Sequence, residues 1–266
     1  MAELDTILLV GCGNMGGAML DGWLAGGIAP SRLAVLDPVL GAAPAGVELF
    51  REVPERRFDA VLLAIKPQLL DQVAPGVAAL AGAGTTVLSV LAGVELASLA
   101  ARFPDAAGHV RVMPNLSAAL GKSPIALAGR GRGEDERAAV TTLMRPLGTP
   151  EWIEENLFDA VTALAGSGPA FVYRFIDALA ESAVALGLDP QQAERLALAT
   201  IGGAAALAAA SPHSPGELAR RVASPGGTTE AGLKVLDADR AMARLVAATL
   251  AAAARRSGEM AAAARG

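Results

Sequence analysis

The strongest constraint on the fold is a short run near the start of the chain. Apolar Thr6-Ile7-Leu8-Leu9-Val10 leads into Gly11-Cys12-Gly13-Asn14-Met15-Gly16, and a helical stretch follows to Gly26. A buried-type strand that turns through G-x-G-x-x-G into a helix opens a βαβ unit suited to a dinucleotide. The first glycine permits the tight turn, the second lets the backbone approach a pyrophosphate, and the third lets helix and strand lie close. Backbone amides and the helix dipole then hold phosphate without a lysine. Gly11, Cys12, Gly13, Asn14, Met15 and Gly16 are thus the first candidate cofactor-binding residues.

The pattern continues through residues 1–150. Thr6–Val10, Leu33–Leu36, Ala60–Ile65, Thr85–Val90 and Val110–Met113 read as strands, continuously apolar as in a sheet covered on both faces. Gly16–Gly26, Leu69–Ala81 and Glu95–Arg102 read as the intervening helices, which predicts right-handed crossovers and a parallel, doubly wound α/β sheet. From about residue 157 the strand-like runs stop and alanine dominates. Phe171, Phe175, Leu179, Ala183 and Leu186 mark a helical face, and breaks fall at Gly187, Ser211-Pro212 and Ser224–Gly227. Two domains are therefore expected, residues 1–156 for the dinucleotide and an all-helical 157–266. Helices so rich in alanine bury little area by themselves, so a second subunit is expected to cover them.

Candidate site residues gather at the carboxyl ends of the strands, where open α/β folds bind ligands. The second strand ends in Leu36-Asp37-Pro38. An acid there accepts from ribose hydroxyls and repels a 2′-phosphate, which points to NAD, while nearby Arg32 and Arg51 leave NADP open. Ala64-Ile65-Lys66-Pro67, Val90-Leu91-Ala92 and the Arg111–Asn115 run end three further strands at the same edge, and Asn115 joins the cofactor set. In the second half, Ser224-Pro225-Gly226-Gly227-Thr228-Thr229-Glu230 is a glycine loop entering a helix, with Thr228 or Thr229 available as N-cap and Glu230 in the first turn. Free amides at such a helix start suit a carboxylate.

Composition excludes other classes. With 22 basic against 27 acidic residues the net charge is −5, and aromatic content is 3%, which argues against nucleic acid. Cys12 is the single cysteine, so no internal disulfide forms and a reducing, cytoplasmic setting is the natural reading. Two histidines, His109 and His213, and a single cysteine are too few for a zinc site of ordinary ligand composition, so no metal is expected. The start Met1-Ala2-Glu3-Leu4-Asp5 is acidic where a signal peptide is basic, and Leu196–Ala210 falls short of the ~18 strongly apolar residues of a spanning helix, so no membrane is expected.

On the Ser224–Leu233 segment continuing to Leu236-Asp237, the chain resembles the pyrroline-5-carboxylate reductase family. GCGNMGGAM, AIKPQ at residues 64–68, SVLAGV, RVMPN and Leu164–Ala170 (LAGSGPA) support the resemblance along essentially the whole chain. It implies a Rossmann-type domain followed by an all-helical dimerisation domain, in a homodimer or a higher assembly built from dimers. It also implies reduction of 1-pyrroline-5-carboxylate, a small cyclic imine, to proline with NAD(H) or NADP(H), the last step of proline biosynthesis. Carried over residue by residue, Thr229 is the catalytic contact to the ring nitrogen. Ser224, Gly227 and the amides of Thr228 and Thr229 hold the carboxylate, and Glu155 lies near the substrate. Gly11 to Gly16, Asp37, Pro38, Ala64 to Pro67 and Val90 to Ala92 line the cofactor. Two stretches depart from the family pattern: Pro212-His213-Ser214-Pro215 replaces a Glu-His-Pro-like run, and Asn115-Leu116-Ser117 replaces Asn-Thr-Pro. Lys234 is the second half's single lysine, just after the signature loop, which disfavours the β-hydroxyacid dehydrogenase group and its lysine acid or base.

Overall fold

The computed structural model describes residues 4–131 and 133–263, so the acidic Met1–Glu3 start lies outside the described residues. Two compact units form: Met1–Gly166 with Ala253–Gly266, and Ser167–Ala252. Composition changes at 157, whereas the units part at 166/167, because Phe158 and Ala163 are buried with the sheet-bearing unit.

In the first unit β1 (Ile7–Val10), α1 (Asn14–Ala25), β2 (Leu33–Leu36), β3 (Glu48–Phe50) and β4 (Ala60–Leu63) come first. They are followed by α2 (Leu70–Ala78), β5 (Thr86–Ser89), α3 (Leu96–Arg102) and β6 (Gly108–Met113). The unit continues with β7 (Ser123–Gly131), α4 (Glu134–Met144), β8 (Gly148–Trp152) and α5 (Phe158–Val161). The eight strands run in the order β3-β2-β1-β4-β5-β6-β7-β8. The five strands expected from the sequence pair parallel, and β7, which that reading did not include, pairs antiparallel to β6, so the sheet as a whole is mostly parallel.

Because successive strand residues face opposite sides, each face has its own core. Ile7 and Leu9 pack with Met19, Trp23, Leu143 and Leu147, and the Trp23 indole N–H donates to the Leu143 carbonyl at 2.8 Å. Leu8 and Val10 pack on the other face with Leu63, Leu70, Val77, Leu99 and Phe103. Burial on both faces explains why these strands read as unbroken apolar runs.

The second unit holds α6 (Gly168–Ala185), α7 (Pro190–Ala210), α8 (Pro215–Val222), α9 (Thr228–Asp237) and the first turns of α10 (Ala241–Ala263). Asp189 caps α7 by accepting from the amides of Gln191 and Gln192, with Pro190 at the first helical position. The departing Pro212–Pro215 stretch is a helix start: Ser214 accepts from the Glu217 amide, and Glu217 pairs with Arg220 and Arg221. Among the described residues of this unit only Ala193 and Ala197 are buried. Tyr173, Leu196, Leu198, Leu207 and Leu245 stand exposed, far more apolar surface than a self-contained bundle leaves. By length and composition alone α7 also meets the minimum for crossing a membrane, a weak signal that core helices share.

The last turns of α10 pack within the first unit. Ser257 Oγ donates to Asp159 Oδ1 at 2.6 Å. Gly93 (φ +77°) lies so close that a Cβ on it would stand 3.0 Å from the Met260 carbonyl.

Candidate active site

Pairing aligns the strand ends. Val10 sits opposite Leu36 and Leu63, and Leu63 opposite Ser89, so the loops after β1, β2, β4 and β5 leave the sheet along one edge. Order reverses at β1, between β2 and β4, which opens a crevice above it. Gly11 turns the chain there at φ +89°, and a Cβ on it would reach 2.8 Å from Ile65 Cγ2. At Gly16 a Cβ would stand 2.4 Å from the Gly11 carbonyl oxygen, so only glycine lets α1 come this close to β1. Above Gly13 a Cβ would meet nothing within 4 Å. No side chain caps α1, and its ladder begins with the Gly17 amide donating to Gly13. The amides of the first turn are left for an anion.

Asp37 follows β2 directly. It is buried, Oδ2 accepts from the Cys12 amide at 2.8 Å, and Oδ1 accepts from the Val39 and Leu40 amides at 2.9 and 3.0 Å. The carboxylate staples the glycine loop to the turn at Pro38. Burial works against its charge, but the Cys12, Val39 and Leu40 amides and the Arg51 charge outweigh it and hold the pKa below the ordinary value. Its contribution to stability is therefore full above the unfolded value of about 3.9 and is lost as pH falls through the lower folded value. Burial, then the charges of Asp37 and Asp21, push the Cys12 thiol up.

Ala64, Ile65, Pro67, Val90 and Ala92 are half-buried along the same edge, Leu91 is buried beneath them, and Lys66 is exposed. Asn115 is buried. Its Nδ2 donates to the Ala165 carbonyl and its Oδ1 accepts from Ser117, so its side chain braces the backbone after β6.

Glu155 is likewise committed. Its Oε1 accepts from the Leu96 amide at 2.7 Å, at the start of α3, and from Arg111 Nη1 at 3.2 Å. Arg111 is buried with its guanidinium 3.9 Å from the Phe158 ring centroid. Burial lowers the Arg111 pKa, and Glu155 opposes that shift. Glu155 thus ties Arg111 of β6 to the start of α3, a brace that sequence spacing does not report because the partners lie far apart along the chain. Glu155 is about one-third exposed, with 35% of its side chain accessible against 6% for Arg111, so water screens the pair and its loss costs about 1–2 kcal/mol. Glu155→Ala is expected to lower Tm by about 2–8 °C in a thermal melt. An unchanged Tm would dismiss the brace.

In the second unit the signature loop is rigidly made. Gly226 adopts φ +71°, the Gly227 amide donates to the Ser224 carbonyl at 2.9 Å, and Glu230 Oε2 accepts from the Gly226 amide at 2.7 Å. The expected threonine cap is corrected: Gly227 is the N-cap and α9 begins at Thr228. Among the described residues no side chain caps this start, and the helical ladder begins only with the Ala231 amide donating to Gly227. The amides of Thr228 and Thr229 are unsatisfied, and both side chains are exposed beside exposed Ser224.

A reversing parallel sheet, a glycine loop with free helix amides and a second helical unit define a Rossmann-type oxidoreductase. Residues 155–260 match the model described as pyrroline-5-carboxylate reductase dimerisation. The pyrroline-5-carboxylate reductase of Pseudomonas aeruginosa is 35% identical over 268 residues, 96% of each chain. A pyrroline-5-carboxylate reductase structure from Coxiella burnetii superposes with a TM-score of 0.91 at 29% identity, covering 97% of this chain and 99% of that one. A Plasmodium falciparum pyrroline carboxylate reductase structure with NADP bound shares the fold, with a TM-score of 0.84 at 24% identity over 98% of this chain and 100% of that one. The chain belongs to the pyrroline-5-carboxylate reductase family.

Proposed function

We propose that this chain reduces 1-pyrroline-5-carboxylate to proline with NADH or NADPH, as the last step of proline biosynthesis. The observation that carries the reading is the locked, uncapped start of α9 at Thr228-Thr229, in a chain whose full length aligns with reductases of that name. The nicotinamide cofactor fits the first unit: free amides at the start of α1 and open space above Gly13 suit its pyrophosphate, with Gly11 to Gly16, Ala64 to Pro67 and Val90 to Ala92 around it. When bound, it supplies a hydride.

The chain's own residues have a modest task. The amides of Thr228 and Thr229, with Ser224, hold the substrate carboxylate, and the N-terminal dipole of α9 favours its charge. Thr229 Oγ1 bonds the ring nitrogen and fixes the imine carbon toward the hydride. As hydride adds to that carbon, the π pair of C=N moves to nitrogen and the positive charge of the protonated imine disappears. No strong acid is needed, so catalysis rests on orientation and exclusion of water. Parallel assays of NADH and NADPH oxidation with pyrroline-5-carboxylate test this, and no turnover with either in protein that binds them would reject it.

We assign substrate binding and dimerisation to the helical half, expected at 157–266, and the dinucleotide to 1–156. The exposed apolar faces of α6, α7 and α10 support burial against a second copy. Sedimentation equilibrium is expected to show a dimer or a multiple of it, and a stable monomer at micromolar concentration would refute it. The lone Cys12 supports a cytoplasmic setting.

A further inference from the structure

The corner of the crevice after β2 and β3 distinguishes the two cofactors, which differ there by a phosphate on the adenosine ribose. The acid in the usual ribose-binding position, Asp37, has its carboxylate bonded by three amides with the Arg51 charge beside it, and these offset its repulsion of a phosphate. The segment that follows, Pro38 to Val47, contains no charged residue. That segment adds no negative charge of its own.

Arg51 stands at this corner. Leu36 pairs with Phe50, so the residues after β2 and β3 leave the sheet side by side. Arg51 Nη1 donates to the Asp37 carbonyl and Nη2 to the Gly41 carbonyl, each at 3.1 Å. Two carbonyls thus hold the guanidinium over the turn while its remaining N–H groups stay available. It is exposed, and among the described residues it has no carboxylate within ion-pair distance. The neighbouring arginines are committed. Arg32 donates to the Leu4 and Asp5 carbonyls and pairs with the Asp5 carboxylate. Arg56 pairs with Glu48 at 2.6 Å and lies over Phe58.

We infer that Arg51 clamps the 2′-phosphate and that the chain prefers NADPH to NADH. This rests on the dinucleotide reading above. A planar, permanently charged fork held in place is the group that best matches a phosphate dianion.

The test is equilibrium titration of the full chain with adenosine 2′,5′-bisphosphate and with 5′-AMP, which differ by that phosphate alone. Wild type is expected to bind the bisphosphate about tenfold or more tighter, the range of charge-assisted hydrogen bonds. Arg51→Gln is expected to remove most of that advantage and to lower the kcat/KM ratio of NADPH to NADH alike. Arg56→Gln, which removes the same charge nearby, is expected to keep it. Equal binding of the two fragments by wild type overturns the clamp, as does an advantage that survives in Arg51→Gln or is lost equally in Arg56→Gln. An equal loss for both fragments in Arg51→Gln makes Arg51 a loop tether and also overturns it. Failure of wild type to bind either fragment, NADH or NADPH would instead refute the dinucleotide reading.

Discussion

Replacing Gly16 with alanine is expected to raise the Kd for both NADH and NADPH by about 100-fold, because misplacing binding groups by roughly 1 Å has effects of that order. The new Cβ would stand 2.4 Å from the Gly11 carbonyl oxygen and 3.3 Å from Ala64 Cβ. Backbone on one side and a packed strand end on the other cannot yield, so α1 must retreat and carry its free amides with it. Gly17→Ala is the control. A Cβ there meets nothing within 4 Å, and alanine is the better helix former. If Gly16→Ala binds both cofactors as wild type does, the start of α1 is not the phosphate seat.

Thr229→Ala separates chemistry from cofactor binding. Losing one donor aimed at the reacting group costs about 10²-fold in kcat, the scale set by removal of single preorganised donors. Thr229 lies at the second position of α9 and its proposed partner is the substrate ring nitrogen, so cofactor affinity is expected to stay unchanged. Thr229→Ser keeps the hydroxyl and is expected to recover much of the rate. Full turnover by Thr229→Ala would remove this side chain from the mechanism. The two variants test the two helix starts separately, each by its own readout.

The sheet was legible where both faces of a strand are buried. Ile7–Val10, Leu33–Leu36, Ala60–Leu63 and Thr86–Ser89 lie within the expected runs. What escaped was structure built on weaker patterns. β3 has three residues, β8 carries Pro150 at a sheet edge where a missing N–H costs little, and β7 ends in Gly129-Arg130-Gly131. The site divides in the same way. Gly11 and Gly16 are dictated by local backbone geometry, and a motif reports them. The bonds of Asp37, Asn115 and Glu155 run to partners that spacing alone does not bring near. Arg51 and Arg32 are equivalent on paper, and only their carbonyl partners tell them apart.

The seat of α10 against Gly93 makes the loop after β5 depend on a distant stretch of chain. The backbone at Met260 and Ala261 closes over Gly93. A variant lacking the last turns of α10 keeps the glycine loop, the Asp37 staple and both threonines, but leaves Val90–Val94 without that cover. Proteolytic cleavage near Gly93 is expected to be faster in that variant than in the whole chain.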